Sequence, residues 1–223
     1  MQNLIIVGNG KLSNAIINDF HLYSKKTVER FSGKSSATGE TVFVHIGSGR
    51  QYYDALQVAI RNNSTFIQAA TEKDIPMKIP KVGDFKYISA PNLDLNIVRL
   101  FYLMSLAKDL FAGEQITITE SHQKEKKSKA GTAIKICNYL NCPEDNIISI
   151  RDPVFQRDLG INNLNQHAFH EIKIGNDLSS ISFTTKIEGA DGYVKGLACI
   201  AESILSLDNG NYEIEDLVRM KIL

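Results

Sequence analysis

The sequence predicts an α/β fold, a parallel sheet with crossover helices, followed by a second unit of α+β texture. Three observations point there. Apolar strand-like runs alternate with helical spacings from Gln2 to Ser89. A glycine turn, GNGKLS at 8–13, separates the first strand from the first helix. After Pro91 the alternation gives way to one long helical pattern and then to strands that alternate apolar and polar residues.

Residues 2–7 read as a strand whose continuous apolar run, LIIV at 4–7, befits one covered on both faces. Ala15, Ile16, Ile17 and Phe20 carry a helix, and 27–31 reads as a second strand. The small polar segment 32–40 is a loop, 41–46 a third strand and 47–50 its turn. Tyr52, Leu56 and either Ala59 or Ile60 line one face of a helix over 52–61, and strands follow at 64–69 and 86–89. Residues 93–111 form the longest helical pattern. A strand over 115–120, a helix over 132–140 and a strand at 147–150 come next. A long loop is expected to run to Gln166, then strands at 167–175 and 178–187, then an amphipathic helix over 193–207 that returns to the first domain.

The chain has 223 residues, is 43% hydrophobic and balances 25 basic against 25 acidic side chains. That composition belongs to a folded protein and argues against nonspecific nucleic-acid binding. Its three cysteines form no CxxC pair, so neither a disulfide framework nor a metal site is expected, and a reducing cytoplasm fits. LIIV at 4–7 is too short to span a bilayer and lacks the flanks of a signal peptide, so no membrane association is expected.

Two motifs carry chemistry. In GNGKLS, Gly8 and Gly10 let the backbone approach a pyrophosphate, and the helix starting near Lys11 and Leu12 offers free N–H groups. Ser13 replaces the third glycine of the usual fingerprint with another small residue. Glu29, near the end of the second strand, can bond ribose hydroxyls, whereas Arg30 can pair with a 2′-phosphate. A tight strand–helix turn without a nucleotide is the competing reading. The second motif starts at His122, able to donate a proton near neutral pH. Four lysines lie between 124 and 129, and Gly131 and Thr132 open a helix whose N–H groups suit a carboxylate. The alternative is a solvated lysine-rich loop with an incidental histidine. His45 ends a strand where α/β sheets bind ligands, but also suits packing. His170 reads as structural, His21 and His167 as surface residues, and Cys199 as core.

Together these motifs resemble the 4-hydroxy-tetrahydrodipicolinate reductase (dihydrodipicolinate reductase) family. Its signature E-x-H-H-x-x-K-x-D-A-P-S-G-T-A is similar to Glu120-Ser-His-Gln-Lys-Glu-Lys-Lys-Ser-Lys-Ala-Gly-Thr-Ala133 with one residue deleted before Gly131. An ungapped alignment instead puts His122 on the second histidine and Glu125 on the lysine. SAPNLDLNI at 89–97 resembles the family's A-x-N hinge, with Asn92 in register. HEIKIG at 170–175 and the stretch from Thr184, with Tyr193 and Gly196, resemble later motifs. Gln123 stands for the second histidine, Ala190 for the late arginine, Gln68-Ala69-Ala70-Thr71 for G-T-T-G and His45-Ile46-Gly47 for D-F-T.

The resemblance implies a Rossmann-type nucleotide-binding domain (1–92 and 192–223) and an α+β substrate and tetramerisation domain with a mixed open sheet (93–191). It implies an NADPH- or NADH-dependent reductase of lysine and diaminopimelate biosynthesis, a cytoplasmic homotetramer acting on a small dicarboxylate. His122 and Lys126 would be catalytic, and Gln123, Lys127, Gly131 and Thr132 would bind substrate. Cofactor contacts would come from Gly8, Gly10, Lys11, Leu12, Glu29, Arg30, His45, Gly47, Ala69, Ala90 and Asn92. Two alternatives remain: a relative reducing another anionic imine, and a non-catalytic NAD(P)-binding regulatory protein.

Overall fold

A computed structural model describes residues 3–33, 35, 37, 38, 40–70, 85–126 and 130–223. They divide into two compact units, Met1–Val98 with Gly192–Leu223, and Arg99–Asp191. The first division falls at Val98 rather than Asn92, because Leu93 and Val98 are buried in the first unit's core. Among the described residues no helix is long and apolar enough to cross a membrane.

The first unit is a six-stranded sheet in which every neighbouring pair is parallel. Its strands are β1 (Asn3–Val7), β2 (Thr27–Arg30), β3 (Val42–His45), β4 (Thr65–Gln68), β5 (Lys86–Ser89) and β10 (Gly210–Glu213), in the order β10-β5-β4-β3-β1-β2. The apolar runs are continuous because both faces are covered. On one face Ile5, Phe43, Phe66 and Tyr87 pack with Tyr52, Ala55 and Ala59 of α2 (Tyr52–Arg61). On the other, Leu4, Ile6, Val44 and Ile67 meet Ile16 of α1 (Lys11–Asp19) and Val194, Leu197 and Ile200 of α6 (Asp191–Ser203). Gly196 permits that approach, since a Cβ there would overlap the Leu93 carbonyl.

α3 (Leu95–Ala107) is shorter than the expected 93–111. Asp94 starts it, its Oδ1 accepting from Asn96 N (3.0 Å) and Ile97 N (3.2 Å).

The second unit holds a mixed four-stranded sheet, β7-β6-β8-β9. Its strands are β6 (Ile116–His122), β7 (Ile147–Ile150), β8 (His167–Gly175) and β9 (Ser180–Glu188). β7 runs parallel to β6, and β8 antiparallel to both β6 and β9. β9 starts two residues later than expected because Asn176 Oδ1 accepts from the N–H groups of Leu178 and Ser179, extending the turn. α4 (Gly131–Leu140) follows the lysine-rich stretch. The supposed loop after β7 contains α5 (Pro153–Asp158), with Asp152 capping Val154 N at 2.8 Å and Pro153 in its first turn. β10 and α7 (Ile214–Arg219) also had no counterpart in the sequence reading. α7 starts with a reciprocal cap between Glu213 and Asp216.

Candidate active site

The candidate residues lie in two groups, one in each unit. In the first unit they gather at the carboxyl edge of the parallel sheet. β1 ends at Gly8, whose φ of +138° favours glycine. A Cβ there would run into the Ile46 carbonyl. Ser13 Oγ donates to that same carbonyl (2.7 Å), tying α1 to the turn after β3. The Gly47 side of this turn lies against the Gly8 Cα.

At Gly10, by contrast, the space around a built Cβ is open. Gly10 caps α1 without a side-chain bond, and the first turn carries Lys11 and no acid. The positive end of the helix is thus left for an outside anion. Arg30 reaches over this turn, donating to Gly8 O and to Asn14 Oδ1 (2.6 Å for the latter). Glu29 is exposed on the edge strand β2. An open glycine cradle, an uncompensated helix N-terminus and an overhanging guanidinium fit a phosphate-bearing dinucleotide.

Of the other expected cofactor contacts, His45 and Ala90 are buried, and Ala69 and Asn92 are half-buried. His45 is fully buried, with Nδ1 2.6 Å from Gln68 Oε1 and Nε2 3.2 Å from Ser48 O. Ala90 is buried and donates its N–H to Gln68 O (2.8 Å), while Ala69 donates to His45 O (2.9 Å). Asn92 Oδ1 accepts from Asp94 N (2.9 Å). Ser89 Oγ is buried without a partner among the described residues, one strand over from Gln68. Thr71 and Lys127 lie outside the described residues.

The second group is built on β6. Glu120 and His122 share one strand face, two residues apart. Nδ1 of His122 donates to Glu120 Oε2 at 2.7 Å. The Glu120 side chain is 0% exposed and that of His122 16%, so the imidazole alone reaches solvent. Burial by itself would raise the Glu120 carboxyl. Hydrogen bonds from His122, Arg151 and Ser149 outweigh that and hold it down to about 2. Arg151 grips it with both terminal nitrogens, Nη1 at 3.1 Å from Oε2 and Nη2 on Oε1.

His170 pairs with Glu120 across β8, and its ring stands edge-on to His122 with centroids 5.6 Å apart. Burial, then repulsion from His122, pushes it down to about 3, so it is neutral at working pH. His167, expected on the surface, is buried, with Nε2 3.0 Å from Ser121 Oγ. His21 is exposed, and Cys199 is only partly buried.

Beyond β6, Gln123 O accepts from Lys126 N (3.0 Å), closing a turn. Lys126 is partly buried and Lys124 exposed. Gly131 and Thr132 are the first two residues of α4, whose N-cap is Ala130 and whose first turn has no acid. Its amide end therefore suits an anion.

Arg151, Ser149 and Gln156 escaped the sequence reading. One signal was available: an acid inside an apolar-alternating strand needs a buried partner, and ISIR at 148–151 supplies one. A cavity of about 440 Å³, lined by Lys108, Gln115, Leu140 and Cys142 among others, lies at the opposite end of β6 and takes no part in this group.

The family model for "Dihydrodipicolinate reductase, C-terminus" matches residues 96–218. No curated protein sequence matches the chain. Among solved structures, a dipicolinate-bound dihydrodipicolinate reductase from Paenisporosarcina sp. TG-14 is similar at 15% identity and a TM-score of 0.65, over 97% of this chain and 100% of that one. A mutant meso-dapdh with DAP from Clostridium tetani E88 is similar at 10% identity and a TM-score of 0.54, covering 99% and 96%. A probable dehydrogenase from Thermotoga maritima gives 7% and 0.52, covering 97% and 92%. At these identities the likenesses speak for the fold.

Proposed function

Because this chain belongs to the dihydrodipicolinate reductase family, we propose that it reduces 4-hydroxy-tetrahydrodipicolinate to tetrahydrodipicolinate with NADPH or NADH. Membership makes it a nucleotide-dependent oxidoreductase; the substrate is our own inference. The observation that carries it is the His122–Glu120 pair beside a turn bearing Lys126 and followed by α4, whose first turn holds no acid.

When bound, the nicotinamide supplies the hydride. This chain's own residues would do the remaining work. Gly8, Gly10 and the α1 N-terminus hold the pyrophosphate, and Arg30 or Glu29 selects the adenosine ribose. Glu120 fixes the proton of His122 on Nδ1, which leaves Nε2 to hold the second proton and deliver it to the ring carbon where negative charge develops. Lys126 pairs with one substrate carboxylate, and Gly131 and Thr132 take the other through backbone N–H and hydroxyl groups. Gln123 completes this anion site, and Lys127 is assigned to it from the sequence alone. Neutral His170 adds no competing positive charge beside the donor.

The same reading makes the enzyme a cytoplasmic homotetramer of lysine and diaminopimelate biosynthesis, assembled through the second unit's sheet, where β9 is largely exposed. Light scattering after gel filtration tests the assembly. The function is tested by following NAD(P)H absorbance with substrate generated freshly in the cuvette. Turnover supports it. Tight dipicolinate binding without turnover would point to another anionic imine, and no NADH or NADPH binding would overturn the reading.

A further inference from the structure

We propose that Arg151 is a positioning residue that sets the proton donor and the anion-binding lysine in register, a role that rests on the function proposed above. The guanidinium serves both. Its two terminal nitrogens hold Glu120, which holds the His122 ring. Its remaining nitrogen, Nε, donates to the Lys126 carbonyl at 3.0 Å. Nη1 also donates to Ile150 O at 2.9 Å, fixing the arginine to the end of its own strand.

A neighbour on the same corner strengthens the arrangement. Gln156, buried on α5, donates Nε2 to the His122 carbonyl at 2.8 Å and to Ile150 O at 3.3 Å. The turn from His122 to Lys126 is therefore gripped at both ends, by Gln156 on its first carbonyl and by Arg151 on its last. Lys126 N to Gln123 O (3.0 Å) closes it from within. The planar fork is needed for this geometry. A lysine ammonium is a single point of charge and cannot hold a carboxylate on two sides while reaching a third acceptor.

The two arms predict separable effects. Arg151→Lys keeps a cation against Glu120 and gives up the bond to Lys126. Substrate KM and the Kd for dipicolinate should each rise about tenfold, the size of one charge-assisted hydrogen bond, while kcat stays within about threefold. Arg151→Met removes both arms, and kcat should fall by a further tenfold or so. NADPH affinity should match wild type in both variants. Without any ligand, the downfield proton resonance of His122 Nδ1–H should persist in Arg151→Lys and vanish in Arg151→Met. Should Arg151→Met fail to fold, Arg151→Lys carries the test alone.

Unchanged KM and Kd in Arg151→Lys would overturn the proposal. So would a lowered melting temperature with kcat reduced only in proportion to the folded fraction, or an Nδ1–H resonance that survives in a folded Arg151→Met. Failure of the functional reading looks different: wild type would bind dipicolinate or show the resonance yet not turn over the family substrate. The ligand-free resonance still decides the positioning role in that event.

Discussion

Glu120 Oε2 lies 2.7 Å from His122 Nδ1, with the carboxylate sealed from solvent and the imidazole open to it. A buried anion thus fixes an accessible ring, and the asymmetry suits the proton-donor role proposed for His122.

Acid should unfold the second unit partly through Glu120. Its carboxyl is held down to about 2, against 4.5 when free. The carboxylate binds fewer protons when folded, so its stabilisation is complete above about pH 4.5 and is lost as pH falls toward 2. Urea unfolding across that window should show the loss in wild type and not in Glu120→Gln. The variant should also be weaker at neutral pH by about 3 kcal/mol, as for a broken buried ion pair. Equal pH slopes would contradict the assignment.

His122→Ala should lower kcat by about 10²–10⁴-fold, the usual worth of a general acid. Dinucleotide affinity, measured by fluorescence titration, should not change, because the proposed contacts to that ligand lie in the first unit. Retained turnover would remove His122 from the chemistry.

The two glycines of the first turn should respond differently to alanine. At Gly8 the φ of +138° and the Ile46 carbonyl both oppose a Cβ, so Gly8→Ala should lose about 3 kcal/mol or fail to fold. Gly10 has open space and a φ of −75°, so Gly10→Ala should melt near wild type yet bind dinucleotide more weakly. Calorimetric melting and ligand titration on both proteins check the contrast.

Cofactor choice should turn on the end of β2. With its guanidinium over Gly8 and Asn14, Arg30 is placed to meet a 2′-phosphate. Arg30→Ala should weaken NADPH about tenfold or more and leave NADH nearly unchanged, the scale of a charged hydrogen bond. Glu29→Ala should weaken NADH instead. Equal losses for both nucleotides would place Arg30 in turn stability rather than selection.

What the sequence revealed was local. The glycine turn, the parallel strands and the helix starting at Gly131 are each encoded within a few consecutive residues, so periodicity and spacing were enough. Arg151 and Gln156 were not legible, because only the parallel pairing of β7 with β6 brings Ser149 opposite Glu120 and Ile150 opposite Ser121. His167 was misread for a similar reason, since Ser121 becomes its partner through the β6–β8 pairing. α5 was missed although Asp152-Pro153 is a sound start signal, as the asparagine-rich residues after it suggested loop throughout.

The first unit's sheet is complete only when β10 pairs with β5, and one of its faces is fully covered only when α6 supplies Val194, Leu197 and Ile200. Both segments are synthesised after the entire second unit. On the ribosome the β6–β9 sheet can therefore finish first, while Ile67, Ile88 and Leu93 wait uncovered. Order of folding thus reverses order along the chain. Nascent chains stalled before α6 should be the ones that recruit chaperones.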